Sequence, residues 1–181
     1  MAIVPDEKDW TWVLEAACPE CGFDVREFPK EAVGEALRAN SLEWAGLLDH
    51  PDAATRPSDD RWSALEYACH VRDVYRLYEF RLRLMLDQDD PDFPNWDQDQ
   101  SAVDDDYGSQ DPAFVAGEIE AAGGILADSF ATVTGEQWER TGNRSDGARF
   151  TIDTFARYLL HDPVHHVWDV RQGYAAVSGG T

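Results

Sequence analysis

The sequence predicts an all-α protein, a four-helix bundle, on three observations. Glycine and proline clusters divide the chain into four stretches of roughly 20 residues, each stretch carries apolar residues at helical spacing, and no alternating run is long enough for a substantial strand. The first helix is expected from Pro29, a favourable first-turn residue, with Val33, Leu37, Trp44 and Leu48 on its inner face and "DHPDAATRPSDD" ending it. The second opens with Ser63-Ala64-Leu65-Glu66, a capping-box pattern, and Tyr67, Val71, Val74, Tyr78, Leu82 and Met85 then trace one stripe. Asp111 and Pro112 read as cap and first residue of the third, whose stripe runs Val115, Ile119, Ala122, Leu126, Phe130 and Val133, weakened but not broken by Gly123 and Gly124. "RTGNRSDGARF" has the turn chemistry of a small hairpin or tight loop. The fourth helix is expected from Thr151 to near Gln172, with Gly173 just past its end. The connection from about residue 88 to 110 is too long for a tight hairpin, so the second and third helices are expected to lie parallel, joined by a crossover. Phe93, Trp96 and Tyr107 give that connection apolar anchors.

A chain of 181 residues suits one domain. It divides into an extension over 1–28, the bundle over 29–175 and a loose tail over 176–181. A hydrophobic fraction of 43% with seven tryptophans supplies a core, so the chain is expected to fold despite its charge. The net charge of -21 opposes nucleic acid and anionic membrane surfaces, which leaves small molecules, and a second copy of the chain as a homodimer, as partners. Met1 to Trp10 lacks the basic start and apolar run of a signal peptide, and no run approaches a membrane span, so a cytoplasmic location is expected. The cysteines are Cys18, Cys21 and Cys69, and an odd number without an export signal favours thiol or metal chemistry over disulfides.

The fourth helix holds "YLLHDPVHHVWDV", with three of the five histidines. His161 and His165 stand four apart, so on one helix they share a side and could grip an ion. A third ligand must come from elsewhere, and His70, at the border of the second helix's apolar face, is the first candidate. A helical wheel raises a difficulty: the apolar arc of the fourth helix holds Ile152, Ala156, Leu159, Leu160, Val167 and Val170, while His161 and His165 lie well away from it and His166 lies closer. Pro163 disturbs the phase further. Two solvent-facing histidines on an acidic surface therefore stand as the alternative. Asp73, three after His70, and Asp169, four after His165, could orient the rings as hydrogen-bond acceptors.

"WSALEYACHVRDVY" and "LLHDPVHHVWDV" resemble the DinB superfamily of four-helix bundles, which includes mycothiol-dependent isomerases and bacillithiol S-transferases, and the resemblance extends over about residues 29 to 175. It implies an up-down-down-up bundle and a divalent metal, zinc ahead of nickel or iron, on three histidines that map onto His70, His161 and His165, with His166 left out. It also implies a thiol S-transferase, isomerase or hydrolase, with a low-molecular-weight thiol as cofactor or substrate. Asp169 and Asp97 are then the candidate catalytic acids. The chemistry is intelligible: three neutral nitrogens leave the ion's charge uncompensated, so a bound thiol or water ionises more readily.

Two features lie outside the resemblance. Cys18 and Cys21 form a C-x-x-C in "CPECGFD", which suits half of a zinc site, a redox pair or a plain reduced turn; a closed site would need His50, Cys69 or a second subunit. Trp96 and Asp97 in "PNWDQDQ" are candidates for a lid over the metal, with Trp96 against the bound cofactor, and a solvated loop is the alternative. The arginines mostly suit surface pairs, such as Glu79 with Arg83, and one of them could take an acidic group of the substrate. Three hypotheses follow: a metal-dependent enzyme, a non-catalytic binding bundle, and a zinc or redox protein centred on the cysteines.

Overall fold

A computed structural model describes residues 10–178. Its helices are α1 (Val33–Leu48), α2 (Ala64–Asp87), a short α3 (Gln98–Asp104), α4 (Pro112–Ala131) and α5 (Ile152–Ser178). The two strands β1 (Thr141–Asn143) and β2 (Arg149–Thr151) pair antiparallel. The capping signals act as the sequence implies. The Ser63 side chain accepts from the Glu66 amide while Glu66 reaches back to the Ser63 amide, and Asp111 caps the Phe114 amide ahead of Pro112. Apart from Tyr67, which is half-buried, the predicted stripes are buried and form one core.

Paired contacts set the directions of the long helices. Along α1 and α4 the partners run in opposite order, Arg38 meeting Asp128 and Ser41 meeting Gly123, so these helices are antiparallel. Along α2 and α4 they run together, Arg72 with Glu118 and Glu79 with Ser129, so these are parallel. Asn40 with Pro163 and Leu47 with Tyr174 make α1 parallel to α5, while His70 with Asp162 and Tyr78 with Phe155 make α2 antiparallel to α5. The bundle is therefore up-down-down-up, and the 88–110 connection is its crossover. Gly123 permits a close crossing of α4 with α1: a Cβ there would lie 2.5 Å from Cβ of Ser41 and 3.0 Å from the Tyr75 ring.

The crossover is anchored at several points. Phe93 and Tyr107 are buried, and the Phe93 amide donates to the Asn143 carbonyl. Two expectations change. The helix expected to stop before Gly173 continues to Ser178, because Tyr174 donates to the Leu47 carbonyl and stacks on His50, and this packing outweighs a glycine stop signal. Only residues 179–181 of the expected tail, and residues 1–9 of the extension, lie outside the described residues. The rest of the extension is packed: a short 3-10 turn at Trp10–Leu14, with Val13 buried, lies against α5 and leads into a segment whose Cys18 and Val25 are buried. Among the described residues, no helix is long and apolar enough to cross a membrane.

Candidate functional site

Helix α5 carries two pairs of potential ligands of equal spacing, His161 with His165 and Asp162 with His166. Each pair shares a face, and the second is rotated about 100° from the first because it lies one residue on. Different neighbours cover those two faces.

The first pair meets the N-terminal segment. His161 Nε2 lies 3.7 Å from Cys21 Sγ and His165 Nδ1 lies 3.6 Å from Cys18 Sγ. The donor atoms of all four residues fall within 4.8 Å of one another. A tight turn presents the cysteines: the Cys18 amide donates to the Phe23 carbonyl, the Gly22 amide donates to the Cys18 carbonyl, and Gly22 takes φ +75°. Burial, with help from His165, lowers the His161 pKa to about 4, and burial also lowers that of His165, so both rings are neutral and offer lone pairs. Burial lifts the Cys21 thiol to about 11.

The second pair meets α2. His70 Nε2 and His166 Nε2 each lie 3.7 Å from Asp162 Oδ2. The Asp169 carboxylate sits 3.0 Å from His166 Nδ1, a pairing that holds the ring with Nε2 toward Asp162. Burial alone would raise the Asp162 pKa; the charge of His166 and the neighbouring His70 imidazole outweigh it and hold Asp162 down at about 2, as a carboxylate. His70 is 2% exposed. Its Nδ1 and the Oδ1 of Asp162 are buried without a hydrogen-bond partner. Two imidazoles and one carboxylate, with donor atoms within 4.8 Å of one another, form a set that fits a divalent cation with positions to spare.

The three histidines expected to share an ion fall into different clusters, His70 with Asp162 and His166, and His161 and His165 with Cys18 and Cys21. The residues on α5 that turn toward His70 are Asp162 and His166, while His161 and His165 turn toward the cysteines. Sequence reasoning set His166 aside and gave Asp162 no role, yet both were visible as a second i, i+4 pair, with His166 nearer the apolar arc. Other assignments also shift. Asp73 does not orient His70; it receives Arg72, Arg76 and the Tyr107 hydroxyl. Asp169 engages His166 at 3.0 Å, with His165 Nε2 farther at 3.7 Å, so it stands behind the rings and does not line the cavity described below. Asp97 caps α3 through the Gln100 amide, with its residue at the cavity rim. Trp96 stacks on His70 at 5.6 Å between ring centres and donates to Ser101 Oγ. Cys69 is buried with its thiol pushed up to about 12 by burial, and His50 stays in its turn beside Asp52. Arg72 is buried in a network with Asp73, Glu118 and Gln110 and is not a surface pair; Glu79 and Arg83 do pair.

A cavity of 440 Å³ opens beside the second cluster. His70, Asp162, His166 and Trp96 line it together with Trp10, His161 and His165, and with Arg81, Arg144 and Tyr158. Arg144 is held by Asp146 and the Tyr158 hydroxyl. Arg81 is 6% exposed and lies over the Tyr78 and Phe93 rings. It donates to the Pro94 carbonyl, its Nε has no partner, and no carboxylate pairs with it among the described residues.

The family model for the DinB superfamily matches residues 34–170. Among solved structures, the chain resembles YfiT from Bacillus subtilis, described as a probable metal-dependent hydrolase with an unusual four-helix bundle topology, with TM-score 0.71, 17% identity and 91% of each chain covered. No curated protein matches the chain.

Proposed function

We propose that this chain, which belongs to the DinB superfamily, is a metal-dependent enzyme that hydrolyses a small molecule bearing an acidic group, with His70, Asp162 and His166 as the ligands of its reactive ion. One observation carries the reading: the donors of His70, Asp162 and His166 lie within 4.8 Å of one another beside a cavity that is also lined by Arg81, a buried guanidinium with no carboxylate partner among the described residues. A divalent ion held there, zinc ahead of nickel or iron, would make a bound water or thiol acidic enough to supply a nucleophile near neutral pH. Asp169 fixes the His166 ring through Nδ1. Trp96 on one side and Trp62 on another hold the His70 ring in place and keep water from it. Arg81 Nε is placed to take a carboxylate or phosphate oxygen of the substrate, which would offset the cost of burying that charge. Trp96 and the Asp97 rim fit a cover over the bound molecule.

A second reading, transfer of a low-molecular-weight thiol of the mycothiol type, is supported by the cavity volume of 440 Å³, which leaves room for a thiol beside its electrophile. Both are tested by assaying metal-loaded protein on a panel of small esters and amides bearing carboxylates, and on a thiol panel with model electrophiles. The proposal expects turnover that Asp162→Asn abolishes and that Arg81→Leu weakens mainly through KM. Turnover unaffected by Asp162→Asn, or none on either panel, would overturn it.

A further inference from the structure

We propose that Cys18, Cys21, His161 and His165 form a second metal centre, a closed tetrahedral zinc site that clamps the N-terminal segment onto α5 and is separate from the ligands around His70. For zinc at ordinary bond lengths, tetrahedral geometry places a sulfur and a nitrogen ligand about 3.5 Å apart. The two sulfur–nitrogen pairs lie at 3.6 and 3.7 Å, so the donors stand at coordination distance around a common centre. Chance alignment of a buried thiol with a histidine could give one such pair. Two pairs from residues more than 130 positions apart in sequence, with all four donors within 4.8 Å, require the turn and the helix to be in register.

The donor set also fits the ion chemically. Two thiolates balance the charge of a dication, so the complex is neutral and suits a site where Cys18 is 2% and His165 6% exposed. On binding, each cysteine loses its thiol proton to solvent and forms one sulfur–metal bond, while the two neutral imidazoles add through lone pairs; no electron is transferred. Four protein ligands leave no position for substrate, in contrast to the three-donor cluster. The centre's role is therefore mechanical. Trp10, against the His161 and His165 rings at 5.6 and 5.3 Å, forms part of the cavity wall, so the ion would hold that wall in place.

The test uses the full chain purified without chelators. Metal analysis with zinc X-ray absorption should find one equivalent coordinated by two sulfurs and two nitrogens, and cobalt substitution should give thiolate-to-cobalt charge-transfer bands in the unmodified protein, a readout that needs no variant. Cys21→Ser should lose that equivalent and its sulfur signal, whereas His70→Ala should keep both, which separates this centre from the proposed reactive one. Chelation should speed tryptic cleavage after Arg26. Zinc and cobalt spectra without sulfur ligation, a Cys18–Cys21 disulfide in the purified chain, or an unchanged cleavage rate on removing the metal would overturn the proposal.

Discussion

Asn40 joins α1, α2 and α5, and replacing it with leucine tests how the candidate site is held. Its Oδ1 accepts from Trp44 Nε1 at 3.1 Å and from the Tyr75 hydroxyl at 2.7 Å, and its Nδ2 donates to the Pro163 carbonyl at 3.2 Å. Leucine has a similar shape but no acceptor, so a buried indole N–H and a buried phenol are both left unpaired. At about 1–3 kcal/mol for each such donor, the loss is about 2–6 kcal/mol. The added apolar burial returns about 1–2 kcal/mol, so the net cost is about 3 kcal/mol. In a chain of this size that lowers Tm by about 6–12 °C, readable by calorimetry or circular dichroism on metal-replete protein. Because Pro163 stands between the paired ligands of α5, Asn40→Leu should also weaken metal retention. A Tm within about 2 °C of the parent would refute the reasoning, since that shift is worth under about 1 kcal/mol.

Other predictions follow from local geometry. Glu66 is buried, which alone would raise its pKa, but Arg56 and Ser63 outweigh burial and hold it below 4.5. A carboxyl depressed on folding contributes stability above its unfolded value and loses it as pH falls through the folded value. Glu66→Gln should therefore lower Tm near neutrality and make little difference well below 4.5, a contrast read by melting both proteins across that range. Gly123→Ala places a methyl 2.5 Å from Ser41 Cβ, and overpacking of this kind costs about 1–3 kcal/mol; the added change Ser41→Gly should recover part of it in denaturant titrations. Asp169→Asn removes the carboxylate that fixes His166 and should weaken metal binding at the His70 cluster about 10- to 100-fold in competition titrations.

The helices were legible because their signals are local. The Ser63 capping box, the Asp111-Pro112 start and the stripes on α1, α2 and α4 each depend on residues within a few turns of one another. The long, anchored crossover likewise pointed to parallel neighbours. The division of the ligands was not legible, because it depends on what covers each face of α5. His161 and His165 lie away from the apolar arc because the N-terminal segment, and not another bundle helix, packs over them. His166 lies nearer the arc because that side faces α2, where Tyr67 and His70 meet it at 5.0 Å. One residue of phase separates the two pairs. Only the folded-back turn at Cys18 and Cys21 shows which pair meets the cysteines and which meets His70.

Anomalous diffraction from crystals of the metal-loaded chain locates the ions most directly. Two separate peaks are expected, one enclosed by Cys18, Cys21, His161 and His165 and the other by His70, Asp162 and His166. A single peak coordinated jointly by His70, His161 and His165 would contradict the account.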